Sequence, residues 1–374
     1  MATYEIWLTN DEGVRLVQLD DILSFSASRA KNAIGSVTLQ VKPTFDTSLI
    51  AVDNIVQIWR APTGGTLSLW RPYFVRKWKY ATQGSTETLL ISGPDVNDLL
   101  RRRLVAAYSG QAPSEKTDYA DDMMKAIVTE AMSDVLLPVP TAGTRAWDDL
   151  SVQADVSAGP ALVSSIAWKR LLQKSGSGVL TDLAKASTIA GTEIFFDIAV
   201  SSVTSSAMKL EFCTKTGQPG ADLTTTGLIF DQERGNLSDA YLEYDYTDEV
   251  NYVYAGGAGI AAVQDVQQVY DATRYVASQW ARCEGYVDAR TQAESNGVRE
   301  VGRTALENGK PVRRFGGTPL DVQGCRFGRD WNWGDKCRAR YRGAEFNAII
   351  EAVVIGVDDK AQEKIQAKLA YVGV

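Results

Sequence analysis

KCRARYRGAEFNAIIEAVVIGVDDKAQEKIQAKLAY, Lys336 to Tyr371, is the stretch on which the fold turns. In its first six residues Lys336, Arg338 and Arg340 share one side, and Cys337, Ala339 and Tyr341 the other. A turn centred on Gly343 leads into AIIEAVVIGV. A third run then sets Ile365, Ala367, Leu369 and Tyr371 against Lys364, Gln366 and Lys368. Side chains alternate across a strand with period two, so the stretch reads as a meander of three half-buried strands.

The residues just upstream, RDWNWGD (Arg329 to Asp335), invite a chemical reading. Aromatics beside arginines suit nucleic acid, and an Asp near Cys and Lys suits catalysis. The structural reading is aromatics packing at a barrel corner, with Gly334 and Asp335 turning the chain into the meander.

Working outward, the N-terminal hundred residues show the same alternation. Leu23, Phe25 and Ala27 oppose Ser24, Ser26 and Ser28; Val37, Leu39 and Val41 oppose Ser36, Thr38, Gln40 and Lys42. A short link makes these two a hairpin. Further strands are expected at Asn54 to Arg60, Tyr73 to Tyr80 and Thr86 to Ser92, with a short helix in GPDVNDLLRRRLV. Both ends of the chain run strand, turn, long strand, turn, strand, a pattern-level repeat that suggests two related β-barrels.

Residues 109–226 differ. KTDYADDMMKAIVTEAM has helical spacing, with Asp118 as its expected N-cap; GVLTDLAKASTIAG is a second helix ended by Gly191; strands EIFFDIAV and AMKLEFCT follow. LLPVPTAGTRAWDDL reads as loop. The expected organisation is therefore mainly β with an α+β insertion. It divides into a first barrel over 1–108, a mixed insertion over 109–226, and returning strands with a second barrel over 227–374. A helix is expected at about 288–310.

Composition narrows the function. The 374 residues are 45% hydrophobic and 23% charged with net charge −7, an ordinary globular balance that disfavours a general DNA-coating protein. There is no His, which removes Ser-His-Asp and Cys-His chemistry and His-ligated zinc. The four Cys have no CxxC spacing and read as free thiols, although Cys325 and Cys337 can approach across strands. The N-terminus carries no signal-peptide pattern, and no run reaches the ~18 apolar residues of a membrane span.

Three constellations carry possible chemistry. GGAGIAA (Gly256 to Ala262) contains G-x-G-x-x-A, but no βαβ unit frames it, so a glycine turn between strands is the stronger reading. The acidic pairs Asp121/Asp122, Asp148/Asp149 and Asp358/Asp359 read first as turn or helix-start residues and only second as a glycosidase pair. Lys336, Arg338 and Arg340, with Lys364 and Lys368 two strands on, form a potential basic patch. From Lys336 to the end there are seven basic and five acidic residues. Tyr341 and Tyr371 fall on the opposite face, so a single-stranded nucleic-acid platform is poorly supported; a solvated face or an acidic partner surface explains the pattern.

The order of motifs resembles a known family. WRPYF from Trp70, ISGPDVNDLLRRRLV, TGQPGADLT, FDQERGNLSDAYLEYDYTDEVNYVYAGGAG, CEGYVDAR and RFGRDWNWGDKCRARYRG are together similar to bacteriophage tail-tip or baseplate-hub proteins of long-tailed phages. The resemblance runs from about Ile22 to the end and implies two tail-tube-type barrels per chain. It implies a homotrimer whose six barrels continue the tube and form part of the DNA ejection channel. The implied partners are the distal tail or tail-tube protein, the tape-measure protein, a central spike or fibre, and passing DNA. The implied place is the virion tail tip, assembled in the host cytoplasm. No cofactor, metal or catalytic residue is implied. The chain ends just after its last strand, so no appended hydrolase is expected. Glu243 and Asp245 are expected to face the channel, and Lys336, Arg338 and Arg340 the channel or a neighbouring subunit. A carboxylate glycan hydrolase, or a receptor-binding module within 109–226, are the rival readings.

Overall fold

In the computed structural model, which describes every residue except 1, 84–85, 107–113, 133–144, 167–170, 175–176, 261–262, 291, 293, 321 and 374, the alternating N-terminal runs are strands. They are β1 (Thr3–Thr9), β2 (Arg15–Gln18), β3 (Ile22–Ala30), β4 (Ser36–Val41), β5 (Ile55–Ala61), β6 (Ser68–Phe74), β7 (Lys77–Gln83) and β8 (Thr86–Pro94), followed by the single-turn helix α1 (Asp98–Arg101). Phe25, Ala27, Val37, Leu39 and Val41 are buried while Ser26, Ser36 and Thr38 are exposed. β3 and β4 form the expected antiparallel hairpin.

The one strand expected from Tyr73 to Tyr80 is in fact two. Val75 donates its N–H to Asn54 and Arg76 donates to Ser92, so the chain changes partner between adjacent residues. β6 lies in a four-stranded sheet ordered β2-β1-β5-β6, whereas β7 pairs with β8 in a larger sheet. A strand that switches sheets makes a corner between layers. Gly93 permits the crossing, because a Cβ there would stand 1.8 Å from the Phe74 carbonyl oxygen.

The mixed region contains β9 (Ser114–Tyr119), α2 (Ala120–Ala131), β10 (Leu150–Val152), β11 (Ala161–Ile166), α3 (Val179–Ile189), β12 (Ile194–Val203) and β13 (Met208–Thr216). Met123, Met124, Ile127 and Val128 of α2 are buried, as their spacing dictates. Gly191, with φ +94°, follows α3. Asp118 is not the N-cap of α2: it lies in β9, and the capping position, Tyr119, makes no side-chain cap. Of the expected loop over 136–150, residues 136–144 lie outside the described residues. The apolar faces of α2, α3, β12 and β13 close over Ile55, Phe74, Val96, Leu99 and Leu100 in one continuous core. The mixed segment thus completes the core of the strands that precede it.

The remainder adds β14 (Ile229–Asp231), β15 (Leu237–Asp245), β16 (Tyr252–Gly256), β17 (Val266–Tyr270), β18 (Glu284–Asp288), α4 (Ser295–Asn308), β19 (Val312–Pro319), β20 (Lys336–Tyr341), β21 (Ala344–Val357) and β22 (Glu363–Gly373). The three-stranded terminal meander is present as expected. β21 is its seam. Residues 344–349 pair with β20, residues 352–357 pair with β3, and β22 runs along the opposite edge. The first and last parts of the chain are thereby joined in a ten-stranded sheet whose main path is β15-β19-β22-β21-β3-β4-β8-β7. The protein is mainly β with an α+β insertion, and none of the sheets closes on itself among the described residues.

By internal contacts the chain divides into a larger unit (residues 1–187, 192–241 and 315–374) and a smaller one (188–191 and 242–314). The smaller unit is a sheet ordered β17-β16-β18 with α4 packed against it. The helix expected from Asp288 starts only at Ser295, because Glu284–Asp288 is taken as a strand parallel to β16. Ala255, Ala289 and Val298 form its core, and Gly302 lets α4 sit close: a Cβ there would lie 2.9 Å from Val269 Cγ2.

Candidate assembly surfaces

The corner before β20 is built around Asp335. One carboxylate oxygen accepts the Ala221 N–H (2.7 Å) and the other the Asn332 N–H (2.7 Å). Burial pushes this carboxyl above its ordinary value, and those two N–H groups oppose the shift. Gly334 takes φ +87°. Trp331 is 1% exposed, with its ring edge-on to Phe230 at 5.4 Å and tilted against Phe327 at 4.8 Å. Trp333 donates to the Glu351 carbonyl (3.0 Å) under the guanidinium of Arg29 (3.9 Å). The aromatics of WNWGD are packing and the Asp is a backbone clamp.

β20 then presents its cations as the alternation requires, with Cys337 and Ala339 buried behind them. Each cation has an acidic partner. Lys336 meets Asp222 (3.7 Å), Arg338 meets Glu345 (3.1 Å), and Arg340 meets Glu345 (2.9 Å) and Asp231 (3.7 Å). The Arg340 hydrogen bond holds the Glu345 carboxyl below its ordinary value. Arg340 and Glu345 face each other because Arg342 (φ 51°) and Gly343 (φ 82°) form a two-residue hairpin turn with both central φ positive. That pairing is legible in RARYRGAE once the turn is placed; Asp222 and Asp231 carry no local signal.

Lys364 and Lys368 do not extend this row as one patch. They lie opposite Gly356 and Ala352, on the half of β21 whose other neighbour is β3, not β20. Lys368 is also matched by Glu351 at 3.6 Å. The basic face of the sequence is a mixed, largely neutralised surface in the structure.

The acidic strand behaves similarly. Glu243 accepts from Arg314 at 2.9 Å, and Asp245 lies 3.9 Å from the same guanidinium. The Thr247 backbone N–H holds the Asp245 carboxyl low. Arg314 of β19 was not among the residues the sequence singled out; it follows only from the placement of β15 beside β19.

The other constellations resolve into structure. Asp122 accepts the N–H groups of Val156 and Ser157, Asp121 those of Ala158 and Gly159, and Lys125 lies buried beside both (3.2 and 3.4 Å). Asp149 pairs with Lys209. Asp358 accepts the N–H groups of Lys360 and Gln362 in a turn. The glycines at 256–259 lie in the connection between antiparallel β16 and β17, with Gly257 donating to Asp265. Cys325 and Cys337 are buried and unbridged, and burial raises the Cys337 thiol. Among the described residues no cluster of three metal-ligating side chains occurs, and no helix is long and apolar enough to cross a membrane.

The profile of a family described as Siphovirus ReqiPepy6 Gp37-like protein matches residues 3–369. The chain belongs to that family. The chain also has the fold of phage tail proteins. It is 14% identical to the 43 kDa tail protein of prophage MuSo2 from Shewanella oneidensis, with TM-score 0.59, covering 97% of this chain and 98% of that one. It is 10% identical to a tail protein from Neisseria meningitidis MC58, with TM-score 0.56, covering 100% and 97%. A chain of the Francisella PdpA-VgrG complex matches at 7% identity and TM-score 0.50, covering 99% of this chain and 57% of that one. No curated protein matches.

Proposed function

We propose that this protein is a non-enzymatic tail-tip hub. Three copies form a ring that continues the tail tube, joins it to a spike or fibre, and surrounds part of the DNA ejection path. The observation that carries this reading is the ten-stranded sheet, which is open at β15 and β7 among the described residues. Unpaired strand edges expose backbone donors and acceptors, and a ring of copies pairs them and closes the two barrels that the repeat suggests. In the ring, Glu243 and Asp245 approach the channel, while Lys336, Arg338 and Arg340 face either the channel or a neighbour. A wall of paired charges lets a polyanion slide, whereas a strongly basic wall holds it. The distal tail or tail-tube protein, the tape-measure protein and the spike or fibre are the proposed partners.

Mass by light scattering combined with negative-stain imaging tests the proposal. The expected result is a particle of three chains with a central hole. A compact monomer that stays monomeric with its tail partners present would remove the hub reading.

A further inference from the structure

The sheet of the smaller unit has two unlike faces. Ala255, Val269 and Val287 lie on the α4 side. The register places Tyr270, Tyr252 and Glu284 in one row of the other face, and Gln268, Tyr254 and Tyr286 in the next. The Tyr252 and Tyr270 rings stack at 5.1 Å with 9° between planes, and Tyr275 packs edge-on to both. Tyr286 is different. It is 63% exposed, yet a Cβ at Gly256 would meet its Oη at 2.2 Å and its Cζ at 2.9 Å. The ring therefore lies across β16 at a position with no side chain, with its outer surface open to solvent. Trp280, 83% exposed, stands on the connection between β17 and β18.

Polar groups surround these rings in matched pairs. Arg282 donates to Glu284 (2.6 Å) and to the Tyr254 hydroxyl (2.8 Å), and its guanidinium covers Tyr252 at 3.8 Å. Tyr252 donates to Gln268 (2.7 Å). Arg290 forks onto both oxygens of Asp288, the neighbour of Gly256 on β18.

We propose that this face binds a neutral saccharide chain built from equatorially substituted hexopyranoses, with Tyr286 as the stacking platform. Such a ring presents axial C–H bonds on a flat surface that fits an open tyrosine face. Its hydroxyls both donate and accept, which suits the mixed guanidinium, carboxylate and amide rim. The charges are already paired, so the face offers no net field to a polyanion. It also keeps the carboxylates of Glu284 and Asp288 beside the rings, whereas protein-interface centres are depleted of Asp and Glu. This site goes beyond the hub reading and does not depend on it.

The test is titration of the full-length protein with chitohexaose and cellohexaose, followed by calorimetry and intrinsic fluorescence. Binding in the millimolar range or tighter by at least one of them is expected. Tyr286→Ala should weaken it by about tenfold, the scale of one aromatic contact, while Tyr286→Phe stays near wild type. Asp288→Asn, which keeps the ring, is the second variant and should also weaken binding. Circular dichroism should match wild type in each case. No binding of either oligosaccharide at ~10 mM, or equal binding by wild type, Tyr286→Ala and Asp288→Asn, overturns the proposal. A lower particle mass for Tyr286→Ala, without any saccharide binding by wild type, also overturns it and marks the face as a protein interface.

Discussion

Arg71 grips both carboxylate oxygens of Asp197, at 2.8 and 3.1 Å, although 126 positions separate the two residues. The same guanidinium holds Asp95 at 2.9 Å, and Asp197 also accepts from Arg29 at 2.6 Å. Arg71 lies on β6, Asp197 on β12 and Arg29 on β3, so this buried cluster ties the mixed segment to the strands around it. Asn97 completes it, donating to Asp197 and accepting from the Ile198 N–H.

Removing one partner leaves buried charge uncompensated. Asp197→Asn should therefore cost about 3–5 kcal/mol, read from chemical denaturation. A loss below about 1 kcal/mol would show that the cluster is not a fastening point.

The same cluster predicts a pH dependence. Burial pushes the Asp197 carboxyl up, but Arg71 and Arg29 more than offset it and hold it below its ordinary value. A depressed carboxylate contributes stability above its unfolded value and loses it as pH falls through the folded one. The stability gap between wild type and Asp197→Asn should hold steady above about pH 5 and narrow below about pH 4. A gap that widens on acidification would contradict this sign.

Glu345 matches Arg338 and Arg340 together, so Glu345→Gln removes the acidic partner of Arg338 and leaves Arg340 only its longer pairing with Asp231 at 3.7 Å. If the surface is kept neutral to let DNA pass, the variant should bind duplex DNA more tightly at low salt. Its log-affinity against log-salt slope should steepen by about 1–2. Fluorescence anisotropy over a salt series checks this; an unchanged slope would detach this surface from DNA passage.

Gly302 sets the spacing of α4 from its sheet. Gly302→Val brings methyl groups into Val269 and Ala255 and should cost about 1–3 kcal/mol by overpacking, visible in thermal unfolding.

Gly343 adopts φ 82° in the hairpin between β20 and β21. Gly343→Val, with a branched Cβ in the left-handed region, should cost about 1–2 kcal/mol. Gly343→Asn should cost less, because Asn tolerates that region, and comparing the two separates backbone strain from lost contacts.

Local patterning was legible. The period-two runs around Phe25, Val37 and Cys337 are strands with the expected faces buried, and WNWGD is a packed corner. Short-range rules missed three places where a longer-range contact decided. Asp118 yields the start of α2 to Tyr119; the run from Tyr73 to Tyr80 is cut where its hydrogen bonds pass from Asn54 to Ser92; and Glu284–Asp288 joins β16 as a strand, delaying α4.

By itself the sequence determined which residues alternate, where glycines turn the chain, and that histidine chemistry is absent, because these depend on neighbours a few positions apart. Only the tertiary structure decided that β21 joins β3 to the terminal meander and that Arg71 meets Asp197. It also decided that the basic strand is neutralised by Asp222, Asp231 and Glu345, and that Tyr286 lies open across Gly256. Most of those pairings join residues tens to hundreds of positions apart, and the strand order that brings them within hydrogen-bond range has no signature in local spacing.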